Sequence, residues 1–195
     1  MRRAESGPAW RDLARRYERW GFDVLQIPDH VGWFDPFAAI VAAAAVTERL
    51  RFGTLVLNIE FWNPLLLARA AATADVVTDG RLELGLGAGH AQVEFAQAGI
   101  AYPSAGARVA RLASSVPTVR RLLAGETVDD DSLGLDGAAV GFPSAQQPLP
   151  LLVGGNGDGV LRTAARQADG VGFVGFTAGT GQTHTSLSHW SWDGL

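Results

Sequence analysis

Residues 79–89 read D-G-R-L-E-L-G-L-G-A-G. Asp79-Gly80 predicts a turn, Arg81 to Leu86 predict a β-strand, and glycines follow at the carboxyl end of that strand. Two earlier β-type runs, Val24–Ile27 and Arg51–Asn58, have the same character. The three runs start near residues 24, 52 and 82, a spacing of about 30 residues, which is the size of one βαβ unit. The sequence therefore predicts repeated βα units around a parallel sheet.

Helices are predicted between these strands. An amphipathic helix ended by Gly21 comes first, because apolar residues recur at i, i+3, i+4 and i+7 (Trp10, Leu13, Ala14 and Tyr17). Asp35-Pro36 and Asn63-Pro64 each supply an N-cap residue followed by a proline at the first helical position. These pairs predict the start of the next two helices, the second of which runs to about Thr78.

Beyond Gly89 the sequence predicts an insertion before the βα pattern resumes. The insertion holds a helix over 107–124, with a kink at Pro117, and a hairpin that turns at Asp136-Gly137. A strand over 151–153, a helix over 158–168 and a strand over 171–174 follow, which gives five parallel strands in all. Residues 177–195 have no clear period.

Composition excludes several classes of protein and site. The chain has 195 residues, 47% hydrophobic and 18% charged, which is typical of a folded α/β protein. A net charge of −4 without a basic stripe argues against a nucleic-acid partner, and the lack of cysteine excludes disulfides and thiolate ligands. His184 and His189 match no common zinc spacing, so no metal site is predicted. Without a signal peptide or an apolar run long enough to span a bilayer, we expect a cytoplasmic protein with no membrane contact.

Three segments at strand ends could carry chemistry. Asp29-His30 directly follows the first strand, at the functional edge of a parallel sheet, where an imidazole can exchange a proton. Gly85 to His90 could let a ring or a phosphate approach the backbone, and Gly154-Gly155-Asn156-Gly157 could hold a phosphate at a helix start. Each segment also has a purely structural explanation. Asp29 could cap a loop with His30 as a polar neighbour. The glycines before His90 could admit close helix packing, and residues 154–157 could form an ordinary βα turn.

Five motifs together resemble the luciferase-like monooxygenase superfamily, in particular the branch that uses the deazaflavin coenzyme F420. They are G-F-D-x-L-x-x-P-D-H at 21–30, R-F-G-T-x-V-L-N at 51–58, N-P at 63–64, D-G-R-L-E-L-G-L-G-A-G at 79–89 and P-L-L-V-G-G at 150–155. The resemblance covers about residues 9–190 and implies an α/β fold, a TIM (β/α)8-type barrel. It implies one barrel domain over 1–195 that is incomplete, with about five or six parallel strands plus an insertion. On this mapping the first, seventh and eighth strands are missing.

The resemblance also implies roles for individual residues. Asp29 would contact the deazaflavin, and His30 would be the proton donor or acceptor during hydride transfer. A non-prolyl cis peptide at Leu55-Val56, with Asn58 just beyond, would back the ring. Further residues would border the ring (Gly87, Ala88, Gly89 and His90) or approach the phosphate (Gly154, Gly155 and Thr177). His90 stands where several relatives have a tryptophan or a glutamate.

The function that follows is an F420-dependent oxidoreductase, which passes a hydride between the cofactor and a small organic substrate as a homodimer. Two alternatives stay open: an FMN-dependent luciferase-like monooxygenase, and a catalytically inactive remnant that binds a flavin or a partner chain. A Rossmann NAD(P) enzyme is weakly supported, because Gly85 to Gly89 do not follow the G-x-G-x-x-G pattern.

Overall fold

The structure, a computed structural model, describes residues 5–173. The predicted site residue Thr177 and the end of the last predicted strand lie outside the described residues, so the prediction of one domain over 1–195 stays a prediction. The elements, in chain order, are α1 Gly7–Arg19, β1 Val24–Ile27, α2 Pro36–Ala44, β2 Arg51–Thr54, β3 Leu57–Asn58, α3 Pro64–Val77, β4 Leu82–Gly87, α4 Gln92–Ala98, α5 Ala105–Leu123, β5 Val128–Asp130, β6 Leu135–Ala138, β7 Leu151–Gly154, α6 Asp158–Gln167 and β8 Gly170–Gly172.

The main sheet is parallel, with the strand order β1-β2-β4-β7-β8. This arrangement confirms the five parallel strand positions that the sequence predicts. β3 continues the path of β2 and also pairs with β4. Because parallel strands point the same way, the loops that follow β1, β3, β4 and β7 all leave from one edge of the sheet. That edge brings together segments that are far apart in the sequence.

The run predicted as one strand over 51–58 is interrupted. β2 ends at Thr54, β3 begins at Leu57, and the peptide bond between Leu55 and Val56 is cis. The resemblance had implied a cis peptide at this bond, and the structure confirms its position.

The predicted helix starts are confirmed. The Asp35 carboxylate accepts a hydrogen bond from the backbone N–H of Ala38 at 2.8 Å. The Asn63 side chain accepts from the N–H groups of Leu65 and Leu66 at 3.0 and 3.3 Å. Each side chain satisfies backbone donors that have no partner inside the first helical turn, which is why these residue types favour helix starts.

One hydrophobic core lies between the sheet and the helices packed on it. Phe52, Leu84 and Val153 from the strands are fully buried, as are Leu67 and Leu112 from α3 and α5. α5 packs against both α3 and α6. It is therefore the helix that connects β4 to β7 in the repeating βα pattern, and its assignment to an insertion was wrong.

α5 also includes Pro117 without ending there. The proline therefore does not break the helix, and the predicted kink stays a prediction. The inserted part of the chain reduces to the short helix α4, which the sequence analysis did not predict, and the β5–β6 hairpin.

The hairpin forms, but its predicted turn was wrong. β5 and β6 are antiparallel, and the chain reverses over 131–134, where Gly134 has a φ of +68°. Asp136-Gly137 instead lies within β6, where the Gly137 N–H donates to the Asp129 carboxylate at 2.6 Å. Local propensity assigns the Asp-Gly pair to a turn, but here Gly137 makes a hydrogen bond across the two strands of the hairpin.

Within residues 5–173, none of the helices combines the length and the apolar character that crossing a membrane requires.

Candidate active site

Asp29 and His30 lie in the loop after β1, as predicted, but their side chains meet different neighbours. The Asp29 carboxylate accepts hydrogen bonds from the Asn58 backbone N–H at 3.3 Å and from the Trp62 indole N–H at 3.1 Å. His30 instead contacts Glu94 of α4. The loop therefore links β3 on one side to the segment after β4 on the other.

Burial raises the pKa of the Asp29 carboxyl above its ordinary value, and the nearby Asp35 carboxylate adds to that rise. The hydrogen bonds from Trp62 and Asn58, together with His30, act in the opposite direction without cancelling the effect of burial. The charged form of Asp29 is thus held in the folded protein at an energetic cost.

We expect Asp29→Asn to raise the free energy of unfolding at pH 7. A carboxyl whose pKa is higher in the folded than in the unfolded state destabilises the fold as pH rises above the unfolded-state pKa, and the effect is complete above the folded pKa. Well below the ordinary value of 3.8, Asp29 is neutral in both states and the advantage of the variant disappears. Thermal unfolding at several pH values measures this difference. Asp23→Asn, which alters an exposed carboxylate, is the control; equal melting temperatures for Asp29→Asn and the parent at pH 7 would contradict the prediction.

His30 is held between a carboxylate and an aromatic ring. Its Nδ1 lies 2.7 Å from Oε1 of Glu94, and the side chains are 19% and 11% exposed. The Trp33 ring lies 4.9 Å away, centroid to centroid, and the exposed His90 ring approaches edge-on at 6.0 Å. The site thus contains an imidazole of fixed orientation at the functional edge of the sheet.

Sequence reasoning missed both Glu94 and Trp33 as site residues. Glu94 belongs to α4. The N-cap residue of this helix is Ala91, whose side chain makes no capping hydrogen bond. The local signal for a helix start is therefore weak. Trp33 is only three residues beyond His30, and its proximity along the chain was an available signal.

The glycines at the strand ends make room for Leu55 and Val56. A Cβ atom at Gly87 would collide with the Val56 side chain, and one at Gly154 would lie 2.5 Å from Val56 Cγ1. A Cβ at Gly172 would lie 2.6 Å from Leu55 Cδ1. The glycines therefore admit these two side chains. The cofactor contacts expected for Gly87 and Gly154 stay predictions. We call Leu55 and Val56, resting on the three glycines, the shelf; both residues are partly exposed.

Asn58 and Gly89 meet beside the shelf. The Asn58 side chain occupies the position of a Gly89 Cβ, and Gly89 has a φ of +72°, which favours glycine. Ala88 is partly buried against the core. Gly87 therefore meets the shelf and Gly89 meets Asn58. That Gly87 to His90 border a cofactor ring, as the resemblance implies, stays a prediction.

A buried arginine that the sequence analysis did not select fixes this segment. Arg108 of α5 donates to the carbonyl oxygens of Gly89 (3.1 Å) and Pro103 (2.5 Å). Its guanidinium lies over the Tyr102 ring at 4.2 Å, and the Tyr102 hydroxyl donates to the His90 carbonyl at 3.2 Å. These contacts hold the backbone on both sides of α4.

Gly154 and Gly155 lie at the end of β7, next to the shelf. The Gly155 N–H donates to the Gly172 carbonyl at 3.0 Å, so this N–H is used within the sheet. α6 begins at Asp158, after Gly157 at its N-cap. The phosphate contact expected for this loop stays a prediction. Over the described range 5–173, no cluster of three or more histidine, aspartate or glutamate side chains could hold a metal ion.

Comparison with known proteins identifies the family. The model of the luciferase-like monooxygenase family matches residues 3–191. An F420-dependent glucose-6-phosphate dehydrogenase of Amycolatopsis mediterranei (strain U-32) is 34% identical over 170 residues, covering 82% of this chain and 51% of the relative. The chain thus spans about half the length of the curated relatives it matches.

Two solved structures have the same fold. A coenzyme F420-dependent tetrahydromethanopterin reductase from Methanopyrus kandleri superposes with a TM-score of 0.77 at 23% identity, covering 87% of this chain and 52% of that one. An F420-dependent secondary alcohol dehydrogenase, solved with an F420-acetone adduct, gives a TM-score of 0.75 at 25% identity, covering 85% and 53%. The five parallel strands form a curled half-barrel that matches these luciferase-like barrels. Because the family model matches nearly the whole sequence, the chain belongs to the luciferase-like monooxygenase family.

Proposed function

We propose that the protein is an F420-dependent oxidoreductase that transfers a hydride between the deazaflavin and a small organic substrate. The observation that carries the proposal is the His30 imidazole, held 2.7 Å from a largely buried carboxylate at the functional edge of the sheet. The names of the curated relatives favour F420 over FMN.

The residues at this edge fit a planar cofactor ring. The shelf offers a partly exposed apolar surface. The desolvated Asp29 carboxyl accepts a hydrogen bond from the backbone N–H of Asn58, the residue beside the shelf. A ring stacked on such a surface would be shielded from water on one face. The residues that would hold it are Asp29, Leu55, Val56, Asn58, Gly87, Ala88, Gly89 and His90, with Gly154, Gly155 and Thr177 toward the phosphate. When bound, the deazaflavin would accept or return a hydride.

His30 would handle the proton of the reaction. The names of the relatives point to substrates in which a carbon bears a hydroxyl group, glucose 6-phosphate and a secondary alcohol. Oxidation of such a carbon breaks the O–H bond, whose proton would pass to the imidazole, while the electron pair of the C–H bond leaves as hydride to the cofactor. The reverse reaction would use His30 as the acid.

Parallel fluorescence titrations of the purified chain with F420 and FMN test the proposal. We expect saturable micromolar binding of F420 and weaker binding of FMN. Binding of FMN alone would favour the monooxygenase alternative. If a folded protein binds neither, the proposal fails and the inactive remnant becomes the better account.

We also propose that the protein is a homodimer, as the resemblance implies. α2 contains no charged residue, and it packs against α3, whose Leu66 and Val77 are 47% and 53% exposed. Helices that are apolar all round are usually covered. We expect a dimeric mass by light scattering and a monomeric mass for Leu66→Glu, with Phe142→Glu, also at an exposed apolar residue, as the control. A monomeric parent protein would contradict this prediction.

The cytoplasmic location and the lack of a nucleic-acid partner stay predictions from the sequence. The small-molecule substrate is part of the proposal, and a screen of alcohols after the cofactor titration would identify its class.

A further inference from the structure

We propose that Glu94 is a positioning residue that fixes the tautomer of His30, with the proton on Nδ1 and the lone pair on Nε2. What the imidazole then does to a substrate rests on the proposed function. The tautomer itself is a property of the folded chain, and it can be measured without any cofactor.

The contact between the two side chains defines the donor. Nδ1 of His30 lies 2.7 Å from Oε1 of Glu94, a length typical of a hydrogen bond to a charged group. An ionised carboxylate has no proton to donate, so the ring nitrogen must donate. Of the two neutral tautomers, only the one protonated at Nδ1 can make this bond.

Glu94 is the carboxylate that meets the ring, although Asp29 is closer along the chain. Both hydrogen bonds to Asp29 go to Oδ2, from Asn58 and from Trp62. The other titratable group that faces the imidazole is His90, whose ring is edge-on at 6.0 Å. Of the three titratable groups Asp29, His90 and Glu94, it is Glu94 whose Oε1 lies 2.7 Å from Nδ1.

The carboxylate is held on a rigid support. Phe95, the next residue of α4, is fully buried and packs against the rings of Phe61 at 5.0 Å and Tyr102 at 4.9 Å. Tyr102 is covered in turn by the Arg108 guanidinium at 4.2 Å. Since these contacts restrict the movement of α4, the position of Glu94 can determine the orientation of the imidazole.

A role in general stability explains this pair less well. Burying a carboxylate disfavours folding unless hydrogen bonds compensate, and an apolar side chain at position 94 would avoid that penalty. A carboxylate that orients a histidine and stabilises its protonated form is instead the arrangement found in catalytic triads and in metal sites. The geometry therefore favours control of the imidazole.

The test is an NMR measurement on the apoprotein labelled with 15N-histidine. Long-range 1H–15N correlations distinguish the two neutral tautomers, and the His30→Asn variant identifies the His30 signal by its absence. We expect the Nδ1–H form in the parent protein at a pH where the ring is neutral. We expect a shift to the Nε2–H form in Glu94→Met, whose unbranched side chain has a similar length. Glu94→Asp, which keeps the charge on a shorter side chain, should restore part of the Nδ1–H population.

Exposed Glu126, which pairs with Arg121, supplies the control variant Glu126→Met, in which the His30 signals should not change. An Nε2–H tautomer in the parent protein, or the same tautomer in the parent and in Glu94→Met, would overturn the inference. Once His30→Asn has identified the His30 signal, the parent spectrum decides the first of these outcomes, so the test does not depend on whether Glu94→Met folds.

A kinetic measurement separates this inference from the proposed function. With F420 bound, Glu94→Met should lower kcat by about 10- to 100-fold with KM within about twofold of the parent value, and Glu94→Asp should recover part of the loss. Unchanged kcat together with a changed tautomer would overturn the positioning role. If F420 does not bind, the proposed function fails, and the NMR result still decides whether Glu94 sets the tautomer.

Discussion

The variant His30→Ala is expected to lose turnover, with kcat about 10²- to 10⁴-fold below the parent value and F420 binding almost unchanged. The reason is that the imidazole contributes a proton transfer, whereas the shelf and its neighbours would contribute the surface for the ring. Steady-state kinetics and a fluorescence titration of the same preparation measure the two effects separately. His30→Asn, which keeps a polar side chain of moderate size, should show the same loss.

Circular dichroism of both His30 variants serves as the check on folding, since His30 is only partly buried. If a His30 variant loses F420 binding but keeps a normal kcat at saturating cofactor, His30 holds the cofactor, and its role as acid or base is overturned. A kcat equal to that of the parent protein would exclude proton transfer through His30 altogether.

The variant Gly87→Val is expected to weaken F420 binding by about 10- to 100-fold and to lower the free energy of unfolding by about 1–3 kcal/mol. A Cβ at Gly87 collides with the Val56 side chain and lies 3.3 Å from the Gly154 carbonyl oxygen. The larger side chain must therefore displace the shelf on which the ring would rest. Cofactor titration and urea denaturation measure the two effects.

Gly106→Val is the matched control, because a Cβ at this position of α5 meets no atom within 4 Å. The double variant Gly87→Val/Val56→Ala provides a second check, since removing the two Val56 methyl groups frees the space that the new side chain needs. We expect it to recover part of the lost stability. Unchanged binding and stability in Gly87→Val alone would show that the glycine is not required by the shelf.

Much of the fold could be predicted from local sequence. Asp35-Pro36 and Asn63-Pro64 mark helix starts because their side chains satisfy N–H groups two or three residues away. The spacing of the β-type runs predicted parallel strands, and a strand end placed Asp29 and His30 at the functional edge. The resemblance located the cis peptide at Leu55-Val56. α4 and the turn of the hairpin were missed, because Ala91 makes no side-chain cap and Asp136-Gly137 is used inside β6.

The sequence by itself determined the parallel α/β sheet, the family, and the positions of Asp29 and His30, since these depend on residues close together in the chain or on motif spacing. Only the tertiary structure decided the partners of those residues. Glu94 is 64 residues from His30, and Trp62 is 33 residues from Asp29. It also showed that Gly87, Gly154 and Gly172 make room for Leu55 and Val56. Such contacts depend on how separate βα units pack across the sheet, and no local pattern of residues encodes that packing.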